Sequence, residues 1–410
     1  MVSGGNVYPL SAVRDLALRA QGLAQNSERT PRPQDVLEAV KRVGWLQIDT
    51  LQVVRRSQEL VLWSRLGAYD AEDLARLAYD GQNRHLFEGW QHAACFIPLA
   101  DYRFQLTAKR ANRRSWGSMG SAKNRELVKA VLARIEREGP MRAGDFDYDG
   151  PRRGSWWDWK PAKRALELLV NRGDLMVSSR VNFQRVYDLT DRVLPDWTDI
   201  TEPTQEQTLR HLLERSILAL GACRLAQIAD YAHLKRRESG PALEAMVEDG
   251  TIVQVIASMN DGTADEIVVH RDNLPALERA ADGDLQSLGT TFLSPFDSLL
   301  WAKGRDVDLW SFHSILEAYK PEPTRIWGYF CMPILDQGDL IGRFDPVLDR
   351  RTGTLRLKAL YLKDHLDPDE ALIERLAGAM RDFMKFHLAT DLVVDRDLPR
   401  GLGSRLVRKL

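Results

Sequence analysis

Cysteine is scarce in this chain of 410 residues. Cys95, Cys223 and Cys331 are odd in number and far apart, so they can build neither a C-x-x-C metal site nor a disulfide framework. An iron–sulfur cluster would need a fourth thiolate. The eight histidines show no H-E-x-x-H and no close pair, which leaves the usual zinc spacings unfilled. Long apolar runs are missing too: no window approaches the roughly eighteen apolar residues of a membrane span. Met1 to Tyr8 has neither the charged start nor the apolar stretch of a secretory signal. What is present is a globular composition, 44 % hydrophobic and 28 % charged, with length enough for about two to four domains.

An excess of charge of either sign is also lacking over the whole chain, whose formal net charge is −1. That balance hides clustering. Between Arg103 and Arg185 basic residues outnumber acidic ones by on the order of +10, a footprint that fits phosphate. Trp116, Trp156, Trp157, Trp159 and Phe183 lie among them. Acids collect in Asp188 to Glu206 and in Asp261 to Asp308. The same basic block also fits a solvated helical face beside an ordinary core.

Trp45-Leu46-Gln47-Ile48-Asp49-Thr50 is the stretch with the clearest chemical content. In an extended run, residues two apart share a face. Gln47 and Asp49 would then face one space while Ile48 turns to the core. An amide can orient a water, and a carboxylate can take its proton or offset a developing positive charge. The pair suits hydrolysis at an oxocarbenium-like centre. By itself it also fits a polar turn at the end of a buried strand.

The rest of the chain reads as repeated small units. Leu10, Val13, Leu16, Ala17 and Leu23 have near-helical spacing, Gln34 to Arg42 is a short helix ended by Gly44, and Ser57 to Leu66 is a helix stopped by Gly67. Asp70 to Ala78 is helical, His85 to Pro98 is strand-like, and Asp101 to Arg114 is a basic helix. Asn124 to Glu138, the turn-like 139–146, the helix Trp159 to Arg172 and two strands around Arg180 to Asn182 follow a winged-helix order. Pro203 to Gly221, Arg224 to Tyr231, Pro241 to Asp249 and two strands around Asn260-Asp261-Gly262 repeat it, so a duplicated unit is expected. Ile326 to Met332, Gly338 to Asp345 and Thr354 to Tyr361 then read as strands of a β-rich tail, followed by the helix Asp369 to Leu388. The basic end, Arg396 to Lys409, is expected to fray.

Four blocks resemble a known family: the Q-x-D stretch, Trp90-Gln91-His92-Ala93-Ala94-Cys95-Phe96-Ile97-Pro98, Phe292 to Trp301, and Leu340-Ile341-Gly342-Arg343-Phe344-Asp345-Pro346. With them the chain is similar, over nearly its whole length, to the YcaQ/AlkZ-like winged-helix DNA glycosylases, on the Q-x-D branch. The resemblance implies tandem winged helices around a concave basic surface, with Gln47 and Asp49 as catalytic residues. It further implies release of N7-alkylguanine and unhooking of interstrand crosslinks. An acid often follows the histidine of the second block in the family. Here Ala93 stands there, and His92 reads as a core or surface histidine.

The chemistry fits the residues. An N7-alkylated guanine is cationic and already a good leaving group, so no strong acid is needed. No lysine lies in the stretch to form a Schiff base. Bulky crosslinked adducts also suit an open surface better than a tight flipping pocket. The expected fold class is α+β, mainly α, with three tandem winged-helix units at 1–120, 121–200 and 201–285 and a β-rich domain at 286–410. The expected DNA contacts are Lys109, Arg110, Arg113, Arg114, Lys160, Lys163 and Arg164. The expected protein is a cytoplasmic, nucleoid-associated monomer needing no cofactor or metal and having no membrane association. It acts on double-stranded DNA carrying alkylated or crosslinked purines. A non-enzymatic winged-helix transcriptional regulator explains the repeats and the basic block equally well, but not Gln47 and Asp49.

Overall fold

A computed structural model describes residues 7–24, 30–113, 116, 119–146 and 161–410. The fold is mixed α+β. Its first elements are α1 (Leu10–Gln21), α2 (Pro33–Val43), β1 (Leu46–Gln47), α3 (Ser57–Leu66), α4 (Glu72–Tyr79), β2 (Leu86–Trp90), β3 (Ala94–Pro98) and α5 (Leu106–Arg113). Next come α6 (Ala122–Glu138), β4 (Met141–Arg142), α7 (Pro161–Arg172), β5 (Leu175–Val181), β6 (Gln184–Leu189) and α8 (Thr190–Val193). Then follow α9 (Gln205–Leu220), β7 (Ala222–Cys223), α10 (Leu225–Tyr231), α11 (Arg236–Glu248), β8 (Ile252–Ser258), β9 (Ala264–His270) and α12 (Leu274–Ala281). The last part holds β10 (Thr290–Phe292), α13 (Arg305–Trp310), β11 (Met332–Asp336), β12 (Asp339–Asp349), β13 (Thr354–Leu362), α14 (Glu370–His387), β14 (Asp391–Val394), β15 (Asp397–Leu398) and α15 (Leu402–Val407). Two compact units result. One comprises Met1–Ala71, Trp90–Cys95 and Leu212–Leu410, the other Glu72–Gly89 and Phe96–His211.

In the first unit, the apolar face of α1 (Val13, Leu16, Ala17) packs on Leu277 of α12, Ile267 and Val269 of β9, and Leu335 and Leu340 of the large sheet. That sheet runs β10-β11-β12-β13-β14, with β15 also on β13. Its first pairings are antiparallel, and β14 and β15 join β13 in parallel. An aromatic cluster ties α3 to it: Trp63 stacks on Phe292 of β10 at 6.0 Å, and Phe292 meets Phe344 of β12 at 4.8 Å. The helix that follows the Q-x-D stretch is thereby fixed against the sheet.

In the second unit, Val128, Val131 and Ile135 of α6 close on Leu166 and Leu169 of α7 and on Leu175 and Tyr187 of the sheet β4-β6-β5. The order helix, two-residue strand, short helix, helix, hairpin recurs from α9 to β9, where the sheet is β7-β9-β8. Matching glycines punctuate both copies. Gly139 and Gly221 end the first helix, and Gly173 and Gly250 follow the last one, all at positive φ between 73° and 88°. A side chain is strained in that backbone region, so the same two stops are built the same way twice.

Four local expectations change. His85 to Pro98 is two strands, with the Gln91 N–H donating to the Ala93 carbonyl at 2.9 Å across the tip. The helix expected from Pro241 begins at Arg236, because the Ser239 N–H already closes a turn on the Lys235 carbonyl at 3.1 Å. Ile326 to Phe330 is loop, and the strand starts at Met332. The basic end does not fray: β14 and β15 pair with β13, and α15 is anchored by Arg405 donating to the Pro368 carbonyl at 2.7 Å. The expected start of α7 at Trp159 lies outside the described residues.

Candidate active site

The backbone that delivers Gln47 and Asp49 is held from behind by buried polar groups of the first unit. The Tyr231 hydroxyl donates to the Val43 carbonyl at 2.7 Å, and the Tyr231 ring lies 5.7 Å from that of Trp45. Gln21 donates from Nε2 to the Ala219 carbonyl at 2.6 Å and to Tyr231 at 3.3 Å, and its Oε1 accepts from Ser298 at 2.6 Å. Arg65 binds Asp297 through two hydrogen bonds of 2.7 and 2.9 Å, and also donates to Gln21 Oε1 at 3.0 Å. Arg65 and Asp297 side chains are 2 % and 0 % exposed. A buried charge without a partner is costly, so the pair and its attendants fix α1, α3, α10 and the Phe292–Trp301 block as one set.

The exit is set just as closely. The Ile48 N–H donates to the Ala94 carbonyl at 2.7 Å, and the Ile48 side chain is buried. Gln47 and Asp49, on either side of it, are half-buried. That is the alternation of an extended run, although the ladder itself stops at Gln47. The Asp49 N–H donates to Oε1 of buried Gln58 at 3.3 Å, and Asp49 Oδ1 accepts the Leu51 N–H at 2.7 Å. Burial pushes the Asp49 carboxyl above its ordinary pKa, against the opposing pull of the Leu51 and Thr50 N–H groups and of Arg56. Among the described residues the Gln47 amide makes no hydrogen bond, which leaves its donors and acceptor to a water or a ligand.

His92 belongs to the same unit. Its ring stacks on Trp301 at 4.3 Å with 7° between planes, Nδ1 is 3.2 Å from the Tyr231 carbonyl oxygen, and the His233 ring meets it edge-on. Burial lowers its pKa, which favours the neutral form.

Among the basic residues singled out in the sequence, Arg114 and Lys160 lie outside the described residues. Lys109 is turned inward: Nζ donates to the Val170 carbonyl at 3.0 Å in the last turn of α7, and burial brings its pKa down to about 8. Arg110 pairs with Glu202. Arg113 donates to the Arg172 carbonyl at 2.9 Å and faces Asp174 at 3.7 Å. Lys163 is half-buried and Arg164 is exposed on α7. Arg180 and Arg185, from the same basic block, bind the buried Glu88 carboxylate at 2.6 and 2.9 Å and are structural.

Sequence reasoning missed the groups around Asp49: Gln58, Arg56, the Arg65–Asp297 pair and Tyr231. Asp297 was visible inside a family-like block, but its partner is 232 positions away. All three cysteines are buried, with thiol pKa values raised to about 12 by burial. Among the described residues no three His, Cys, Asp or Glu side chains gather as metal ligands, and no helix is long and apolar enough to cross a membrane.

The α+β scaffold places half-buried Gln47 and Asp49 on either side of buried Ile48, and comparison with known proteins gives the chain a family. The model of the DNA glycosylase AlkZ-like family matches residues 40–383, a span that contains Gln47, Asp49 and the network behind them. The chain belongs to this family. In fold it is similar to the DNA glycosylase AlkZ of Streptomyces sahachiroi, with a TM-score of 0.62 at 15 % identity, over 95 % of this chain and 100 % of that one.

Proposed function

We propose that this protein is a monofunctional DNA glycosylase that hydrolyses the N-glycosidic bond of alkylated purines, N7-alkylguanine first, and that it unhooks interstrand crosslinks in DNA repair. The observation that carries this reading is the pair Gln47 and Asp49, half-buried on either side of buried Ile48 within a chain of glycosylase family. Gln47 holds a water. Asp49 takes its proton and faces the positive charge that develops at C1′ as the bond to the base breaks. The water oxygen bonds to C1′, and the bonding pair leaves with the base and cancels its positive charge. No metal or other cofactor enters this scheme.

The repeated helix, strand, helix, helix, hairpin segments are read as winged-helix units, the two matched copies at 121–200 and 201–285 following a first at 1–120 and preceding a β-rich domain at 286–410. DNA contact is assigned to the basic residues of α5 and α7, with exposed Arg164 as the best placed among the described ones. The substrate partner is double-stranded DNA carrying alkylated or crosslinked purines, and the protein acts as a cytoplasmic, nucleoid-associated monomer.

A winged-helix regulator is the competing reading. The bond from the Leu51 N–H to Asp49 Oδ1 favours it, since that contact is a turn-capping one. One assay separates the two: free base released from a duplex bearing N7-methylguanine, by the wild type and by Asp49→Asn, followed by the same pair on a crosslinked duplex. Release by the wild type with loss in Asp49→Asn supports the glycosylase. Full activity in a folded Asp49→Asn protein, or none in the wild type, gives the site to the regulator.

A further inference from the structure

Beyond Asp49 the chain lines a cavity of 340 Å³. That is the size of a small-ligand site, about 300–1,000 Å³. Gln52, Arg55 and Glu59 form one side, Arg350 of the β12–β13 turn a second, and His387 at the end of α14 a third. Gln52 stands three residues after Asp49, so their Cα atoms are at most about 11 Å apart. The segment between is fixed. Asp49 Oδ1 accepts the Leu51 N–H at 2.7 Å, and Arg56 Nη1 donates to the Thr50 carbonyl at 3.2 Å. Arg350 Nη2 donates to the Val54 carbonyl, which ties the turn to the same segment.

The charges around the cavity do not cancel. Arg55 is fully engaged: Nε and Nη2 donate to the Phe386 carbonyl at 3.0 and 2.8 Å, and Nη1 donates to Glu59 at 3.1 Å. The same contact neutralises Glu59. Asp349, beside Arg350, turns its Oδ1 to the Arg351 N–H at 2.9 Å. Arg350 is exposed, and among the described residues it makes no ion pair, while its Nε and Nη1 make no hydrogen bond. The exposed Gln52 amide makes none either. His387 is only 5 % exposed; its Nδ1 donates to the Phe383 carbonyl at 2.7 Å, and its Nε2 has no partner among the described residues. Burial first, then the charges of Arg55 and Arg350, bring the ring's pKa down to about 4, so it is neutral at pH 7. Guanidiniums that keep a proton off an imidazole favour an anion beside it.

We propose that this cavity is a phosphate site, taking one phosphodiester group of the bound DNA between the free edge of the Arg350 guanidinium and the Gln52 amide. It rests on the reading of duplex DNA as the substrate partner. The ligand chemistry is that of an acceptor-only anion. A guanidinium fork matches two phosphate oxygens, and the amide N–H adds a further donor. Such a contact positions the strand without reading its sequence. Held beside the segment that carries Asp49, it anchors the backbone close to the reaction centre.

The test measures affinity for an undamaged duplex at several salt concentrations, with melting temperature, for wild type, Arg350→Gln, Arg350→Lys and Gln52→Ala. Base release from an N7-methylguanine duplex is followed for the wild type. Arg350→Gln is expected to lower the slope of log affinity against log salt by about 0.9, the count for one phosphate. Arg350→Lys keeps the charge and the slope. Gln52→Ala keeps the slope and binds about threefold to tenfold more weakly, because a neutral donor releases no counterion. A wild-type slope in Arg350→Gln overturns the proposal, as does a lowered slope in Arg350→Lys or wild-type affinity in Gln52→Ala. A slope that falls only together with the melting temperature, or a flat wild-type curve, overturns it too. Inorganic phosphate at fixed ionic strength separates the two sources of the anion. If it raises the melting temperature of the wild type but not of Arg350→Gln, while the duplex slopes are equal, the cavity holds free phosphate and the DNA assignment falls. Base release by the wild type beside an unchanged slope in Arg350→Gln removes the cavity alone. A lowered slope beside a wild type that releases no base keeps the phosphate site and removes the glycosylase.

Discussion

Asp49 carries opposite demands on stability and on chemistry. Burial raises its pKa, so the folded protein binds a proton at this carboxyl more tightly than the unfolded chain does. The contribution is therefore favourable at pH below the unfolded value. It is lost as pH rises through the raised folded value, and at neutral pH the ionised carboxylate is a net cost. Asn keeps an oxygen for the Leu51 N–H and has no charge to bury. Asp49→Asn is expected to melt at or slightly above the wild-type temperature at pH 7 while losing about 10²–10⁴-fold in base release, the scale of a general base. Calorimetry and single-turnover release on one preparation check both halves. A joint loss of stability and activity would mark a turn cap instead. Gln47→Ala should lose less, because a cationic base departs partly unaided. The acid side of the rate profile should also fall at a higher pH than an ordinary aspartate gives, since only the ionised form accepts a proton.

Elements differ in what holds them, and this decides which of them a sequence discloses. Periodic helices with glycine stops, such as α3, α6 and α7, were legible because their signals are local: an apolar stripe, then Gly67, Gly139 or Gly173 at positive φ. The alternation of half-buried Gln47, buried Ile48 and half-buried Asp49 was legible for the same reason. The Ile326–Phe330 segment has strand-like residues, but Glu317 and Asp345 take its N–H groups, and no local pattern announces carboxylates that lie many residues away. The C-terminal pairing was hidden likewise, since β14 and β15 join β13 in parallel across the whole of α14. Long-range polar contacts of this kind are testable one by one. Asp297→Asn leaves Arg65 buried without its counter-charge, and breaking such a pair costs about 3–5 kcal/mol. Chemical denaturation should show that loss, and base release should fall with it at temperatures where the variant is still folded, because Gln21 and Tyr231 hang from the same network. A second expectation concerns acid. Glu317 is held near pKa 2, so the stability it lends is complete above its ordinary value of 4.5 and is lost as pH falls toward 2. Glu317→Gln should flatten acid unfolding between those values.

Over the whole molecule the charge balance is nearly zero, so any grip on DNA has to come from where the basic side chains point rather than from how many there are. The structure sorts the described candidates by that criterion. Lys109 is committed to the end of α7 and Arg113 to the Arg172 carbonyl, whereas Arg164 is exposed on α7. Phosphate contacts release counterions, so the slope of log affinity against log salt counts them at about 0.9 per contact on duplex DNA. The wild type is expected to bind undamaged duplex with a steep slope between about 50 and 200 mM salt and with little sequence preference. Arg164→Ala should reduce that slope by about one contact. Lys109→Met should leave it unchanged, because its ammonium already serves the Val170 carbonyl and a helix C-terminus. Fluorescence anisotropy titrations at several salt concentrations distinguish these outcomes. A slope lowered by Lys109→Met and untouched by Arg164→Ala would mean that DNA meets this unit on another face. A flat wild-type curve would mean that the basic block is only a solvated surface.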